Sequence, residues 1–139
     1  MVSKAQVVWR GGVAPGAPTP GKSTAFEEAA YSLTTLFESG KGRNPRELLA
    51  AAHAGCFTAA LAFSLRVAGY TPTELSTQAV ITQEPEGPGF RISCSALTLR
   101  ATVPNLTRAT FETMAWDAVN NCPISRVLRT QIWRDATLL

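Results

Sequence analysis

Residues 48–65 read Leu48-Leu49-Ala50-Ala51-Ala52-His53-Ala54-Gly55-Cys56-Phe57-Thr58-Ala59-Ala60-Leu61-Ala62-Phe63-Ser64-Leu65, an apolar run whose only ionisable groups are His53 and Cys56. Its length approaches the ~18–20 apolar residues that cross a bilayer. It is built largely from alanine, however, which contributes little to insertion, and it carries glycine, serine and threonine as well. It also lacks the aromatic belt and cationic flank that anchor and orient a membrane span. A helix apolar all round belongs either to a membrane or to a protein interior. The composition selects the second, a long core helix.

Its ends are marked. Asn44 can cap exposed amides, Pro45 suits the first helical position, and Glu47 stands where a capping box places its acid. Gly69 supplies the left-handed residue past the other end. Twenty-odd residues give a helix of about 35 Å, the span of a small domain. Gly55 is a point where it can bend.

Strand signals lie on either side. Ala5–Trp9 reads as a short strand, Gly11–Gly21 as a Gly/Pro loop, and Thr24–Phe37 as one or two strands, closed by Gly40-Lys41-Gly42. Beyond Tyr70-Thr71-Pro72, Leu75–Gln83 predicts a strand, Pro85–Gly89 a turn, and Phe90, Ile92, Cys94 and Ala96 one face of the next strand. The apolar phase slips at Leu97, which predicts a bulge. Thr107 is a cap for a helix on which Phe111, Met114, Ala115 and Ala118 share a face, ending near Asn120-Asn121. Cys122-Pro123 restarts a short helix to about Leu128, and Thr130–Ala136 closes as a strand. Strands grouped before and after one long helix predict an α+β fold, with residues 1–139 as a single domain. Two small sheets hardly cover a helix apolar on every side, so the packing predicts an intimate homodimer that shields two such helices.

Composition narrows the function. The chain has 139 residues, is 45% hydrophobic and 17% charged, and carries a formal charge of +3, which favours a well-buried core over disorder. The excess charge is too small, and Arg126, Arg129 and Arg134 too scattered, to argue for nucleic-acid binding. A single His53 excludes a multi-histidine metal centre, and no two of the three cysteines stand at the close spacing of a zinc site. The first residues, Met1-Val2-Ser3-Lys4-Ala5-Gln6, hold no apolar signal core, and an odd number of cysteines is unlike a secreted disulfide scaffold. A cytoplasmic protein with no metal and no cofactor is expected.

Three cysteines and one histidine carry the possible chemistry. Cys56 is either a small hydrophobe in a tight helix contact or a nucleophilic thiol that needs an outside cation, since mid-helix it gains nothing from the helix dipole. Cys122, before Pro123, is either a cap standing in for serine or a thiolate favoured by free amides. Cys94 is assigned to the core. His53, three residues before Cys56, is either a base or a hydrogen-bonded packing residue.

The run Gly42-Arg43-Asn44-Pro45-Arg46-Glu47-Leu48-Leu49-Ala50-Ala51-Ala52-His53-Ala54-Gly55-Cys56-Phe57, with Asn121-Cys122-Pro123-Ile124-Ser125 far downstream, resembles the OsmC/Ohr family of osmotically inducible and organic hydroperoxide resistance proteins, and its OsmC branch in particular. That resemblance implies an OsmC-like swapped homodimer with long buried central helices packed between β-sheets and two active sites at the interface. It implies a thiol-dependent peroxidase acting on organic hydroperoxides and hydrogen peroxide, with Cys56 as the peroxidatic and Cys122 as the resolving cysteine. The partners implied are the hydroperoxide and a dithiol reductant, in the family often a lipoyl group; neither nucleic acid nor membrane is among them.

Two positions depart from the family. Its arginine in an Arg-Phe-Glu segment ahead of the helix is replaced by Leu36 in Thr35-Leu36-Phe37-Glu38, and its glutamate directly after Asn-Pro by Arg46, with Glu47 following. Both halves of an ion pair are thus altered together. Arg46 and Arg43 are the candidate replacement cations. Arg46 lies ten residues, about 15 Å, from Cys56 along a straight helix, so a bend or the partner subunit is required. The alternative is an OsmC-fold protein with weak or no peroxidase activity that binds an apolar small molecule at the dimer interface.

Overall fold

The structure is a computed structural model, and it describes residues 2–11 and 45–139. Their order is β1 (Val2–Arg10), α1 (Pro45–Val67), β2 (Glu74–Glu86), β3 (Gly89–Thr102), α2 (Arg108–Asn121), α3 (Pro123–Val127) and β4 (Gln131–Leu138). The expected strands in Thr24–Phe37, the Gly/Pro loop, the Asn44 cap, and the positions of Leu36 and Arg43 lie outside the described residues.

Alanine-rich sequence without a β-branched run makes α1 an intrinsically good helix, and it begins at Pro45 as expected. It stops in a paired carbonyl cap. The Tyr70 N–H donates to the Leu65 carbonyl at 2.8 Å and the Gly69 N–H to the Arg66 carbonyl at 3.0 Å. Gly69 takes φ +91°, the backbone this cap needs.

The described strands form one mixed sheet in the order β1-β2-β3-β4. The first three are antiparallel neighbours, and β4 runs parallel to β3 after the α2–α3 crossover. Alternation puts one residue in two toward α1. Val7, Thr77, Leu99 and Ala136 form one cross-strand row on that side, and Ala5, Ala79, Leu97 and Arg134 form the next. Against these rows α1 buries Ala50, Ala54, Phe57, Leu61 and Leu65, each fully enclosed. At roughly 1.5–3 kcal/mol for each buried large side chain, this contact holds the described fold together. The Thr58 hydroxyl crosses it, donating to the Ala54 carbonyl at 2.7 Å and lying 2.7 Å from the Thr77 hydroxyl. By length and composition α1 could cross a bilayer; in this fold its inner side is packed against β1, β2 and α2. Its outer side is open: Phe63 is 59% and Val67 72% exposed.

Three details differ from expectation. The turn between β2 and β3 is only Gly87-Pro88, with Glu86 paired to Gly89 and Pro85 to Phe90. Gly87 at φ +56° followed by proline gives a II′-type hairpin. Pro85 is tolerated in a strand because β1 pairing ends at Thr82, so its missing N–H lies on an open edge. The bulge falls at Ser93, skipped between the pairs Thr82–Cys94 and Gln83–Ile92, and not at Leu97. Cys94 therefore points away from the Leu97–Leu99 face and is half-buried, a correction to its core assignment. The small side chains of Ser93, Cys94 and Ala96 gave the alternation nothing to mark the slip.

Helix α2 starts where expected, with the Thr107 hydroxyl accepting from the Thr110 N–H at 3.3 Å. It is tied to β4 by Arg134, whose Nη2 donates to Glu112 at 2.9 Å while its guanidinium lies 4.2 Å over the Trp116 ring. The Arg134 side chain is only 5% exposed, so it is an internal strut and not part of a basic surface.

Candidate active site

Cys56 sits midway along α1, and Cys122 sits at the junction where α2 ends and α3 begins. The Cys122 N–H still donates to the Ala118 carbonyl at 3.0 Å, as the last bond of α2, while its carbonyl accepts from the Arg126 N–H at 3.1 Å, as the first of α3. Pro123 then fixes the change of direction. This double duty carries Cys122 into the interior, fully enclosed, against α1.

The fold brings the two thiols together: Cys122 lies near enough to Cys56 to act on its ionisation, and both are free thiols. The backbone N–H of Ile124, in the first turn of α3, also acts on the Cys56 sulfur and favours its thiolate. The sequence pointed to the α3 amides as partners for the sulfur of Cys122. The structure aims one at Cys56, and the Cys122 side chain makes no cap hydrogen bond.

Among the described residues the site has no positive group at Cys56. Burial is the main influence pushing the Cys56 thiol above its ordinary range, Cys122 pushes the same way, and the Ile124 amide opposes them. Arg46 is buried at the far end of α1, where its Nε donates to the Ser3 hydroxyl at 3.3 Å on β1. Glu47 is exposed on the first turn. Neither is gathered at Cys56. Cys94 is also apart, on the opposite side of the sheet from its neighbour Ser95.

His53 is built into the interior. Its Nδ1 is 2.6 Å from the Ser95 hydroxyl on β3 and its Nε2 is 2.8 Å from the Ser125 hydroxyl on α3. A neutral imidazole donates through one nitrogen and accepts through the other, and the serine hydroxyls rotate to match. Burial holds the histidine below its ordinary range and so uncharged. Of the two readings open for His53, the geometry selects the hydrogen-bonded packing residue. Ser95, Ser125 and the Ile124 amide were not singled out in the sequence. The only signal was that Ile124 and Ser125 complete the segment begun by Asn121-Cys122-Pro123.

Two adjacent thiols, one beside a helix-terminal amide and partly accessible, are equipped for oxidation to a sulfenic acid and its capture as a disulfide. Among the described residues no three His, Cys, Asp or Glu side chains converge to hold a metal.

Comparison with known proteins agrees with this chemistry. A family model described as OsmC-like protein matches residues 38–135. The chain is 38% identical over 136 residues to a protein of Escherichia coli named peroxiredoxin OsmC, covering 97% of this chain and 95% of the relative. Among solved structures, an organic hydroperoxide resistance protein from Elizabethkingia anophelis is 26% identical with a TM-score of 0.55, covering 70% of this chain and 69% of that one. An OsmC-like protein from Mycoplasma pneumoniae shares the fold at 18% identity and a TM-score of 0.64, covering 73% of this chain and 75% of that one.

Proposed function

From the premise that this chain belongs to the OsmC-like protein family, we propose that Cys56 and Cys122 are its redox pair. The activity is that of a cysteine-based peroxidase reducing organic hydroperoxides. The observation that carries the assignment of residues is the approach of the Cys122 thiol to Cys56, close enough to act on its ionisation.

The chemistry closes with no other group. The Cys56 thiolate attacks the outer peroxide oxygen, an S–O bond forms as the O–O bond breaks, and the departing alkoxide takes a proton to leave as alcohol. Cys56 is now a sulfenic acid. The Cys122 thiol attacks its sulfur, the S–S bond forms, and the displaced hydroxide leaves with the thiol proton as water. Thiols that the fold already sets beside each other have little further to move to reach bonding distance. Two exchanges with a dithiol, of lipoyl type in this reading, regenerate both thiols and leave the reductant as its own disulfide. A reducing cytoplasm suits such a cycle.

A thiol pushed upward by burial needs a positive neighbour to react quickly near neutral pH. The exposed apolar side of α1 supports a swapped homodimer in which two such helices are enclosed between sheets and a guanidinium reaches Cys56 from the partner subunit. Arg43 is the donor proposed for that role, with Arg46 a second that must first leave its buried bond to Ser3, and Glu47 the acid that steadies them.

Purified protein mixed with tert-butyl hydroperoxide and dihydrolipoamide is expected to consume the hydroperoxide over many turnovers, and Cys56→Ser to consume none while keeping its circular dichroism. Equal inertness of both folded proteins would overturn the reading.

A further inference from the structure

We propose that the chain of hydrogen bonds Ser95–His53–Ser125 is a positioning device that locks the first turn of α3 against α1, fixing where the Ile124 N–H and Cys122 stand relative to the Cys56 sulfur. The proposal rests on the peroxidase reading of the same site, and goes beyond it in naming what sets the site's geometry.

Helix α3 has only five residues, and none of them is buried. Only Ile124, partly buried, packs against the core, so apolar contacts alone hold its rotation and its distance from α1 weakly. Two further contacts fix them: Cys122 enclosed at its start and the Ser125 bond to His53. Ser125 directly follows Ile124, so a displacement at Ser125 is passed to the Ile124 amide with almost no chain between them.

The other end of the hydrogen-bond chain is firm. Ser95 is fully buried on β3, which is paired on one side to β2 and on the other to β4. His53 spans from this sheet to α3 and is itself fully enclosed. It stands three residues before Cys56, on nearly the same face of α1, so the device reaches α3 beside the reacting sulfur. Enclosing an imidazole and the Ser95 hydroxyl, with the Ser125 hydroxyl half-buried, costs free energy unless each is satisfied, whereas apolar side chains would fill the same space without that demand. A fully satisfied polar chain gives direction, which apolar contacts lack. Here the direction is that of one amide and one thiol toward Cys56.

The test uses the full chain carrying Ser125→Ala, Ser125→Thr or His53→Gln. Alkylation of Cys56 by iodoacetamide is followed by peptide mass across about pH 6–10, the range where thiols titrate. The ratio of Cys56–Cys122 disulfide to Cys56 sulfinic acid is then read after excess tert-butyl hydroperoxide without reductant. Loss of one buried hydrogen bond of ordinary strength predicts about a threefold to tenfold drop in alkylation rate at neutral pH for Ser125→Ala, with a matching rise in sulfinic acid. His53→Gln is expected to follow it, and Ser125→Thr, which keeps the hydroxyl, to recover most of both. Ser125→Ala and His53→Gln indistinguishable from the parent in both readouts would overturn the proposal, even with full peroxidase turnover in the parent. A parent without peroxidase turnover whose Cys56 alkylation still falls in Ser125→Ala would remove the peroxidase reading and leave the positioning role standing.

Discussion

Cys56 and Cys122 divide the work through their surroundings. Cys56 is partly accessible and lies beside the Ile124 amide, while Cys122 is enclosed in the core next to it. Only Cys56 can meet a substrate first. Cys122→Ser is therefore expected to consume about one equivalent of hydroperoxide per chain without reductant, form no disulfide, and pass to the sulfinic acid as hydroperoxide is added; intact mass reads each state. His53 gives a second prediction. Its ring is held neutral by burial between two neutral hydroxyls, so its folded pKa lies below the ordinary 6.5. The unfolded chain then binds more protons than the folded one once pH falls below 6.5. Stability is complete above that value and is lost as pH drops toward the folded pKa. The urea midpoint of the parent should decline over that interval more steeply than that of His53→Gln. The cysteine pair was legible in the sequence because two short motifs carry it. The serines were not, for they approach His53 across separations of 42 and 72 residues, and one serine among many carries no mark of a distant partner.

Among the elements, α1 was the most legible. Its start at Pro45, its end before Gly69 and its burial against the sheet follow from cap residues and alanine content. Gly69→Ala should cost about 1–2 kcal/mol, since a Cβ at φ +91° is strained even in open space. Leu61→Ala, at a fully enclosed position, should cost about 2–5 kcal/mol. Both are read from urea unfolding, and a ranking with Gly69→Ala the more damaging would contradict the packing described. Sheet details were less legible. A tight hairpin at Gly87-Pro88 hid inside a cluster of five turn-forming residues, and small side chains concealed the bulge at Ser93. The parallel pairing of β4 depends on the α2–α3 crossover, which no local periodicity encodes.

For the whole molecule the decisive feature is the side of α1 that the described fold leaves open. Ala51, Ala52 and Ala59 are exposed there together with Phe63, on a helix whose other side is the centre of the core. A soluble monomer gains nothing from an alanine and phenylalanine surface of this kind, whereas a two-fold dimer meets the same patch with its own copy and encloses both. The same face continues past Cys56, so in the proposed dimer it also shelters the reactive thiol from bulk water, and the partner is the proposed source of a cation that the described residues of one chain do not present. Association and activity are then expected to be linked. Phe63→Glu buries a carboxylate if the dimer forms and so opposes it. Sedimentation velocity should show the parent as a dimer and Phe63→Glu as a monomer, with helix content retained. Cys56 alkylation at neutral pH should fall at least about tenfold in the monomer, the loss expected when a nearby cation that lowers the thiol pKa by one unit is withdrawn. A monomeric parent with rapid alkylation, or a monomeric Phe63→Glu as reactive as the dimer, would show that one chain completes its own site.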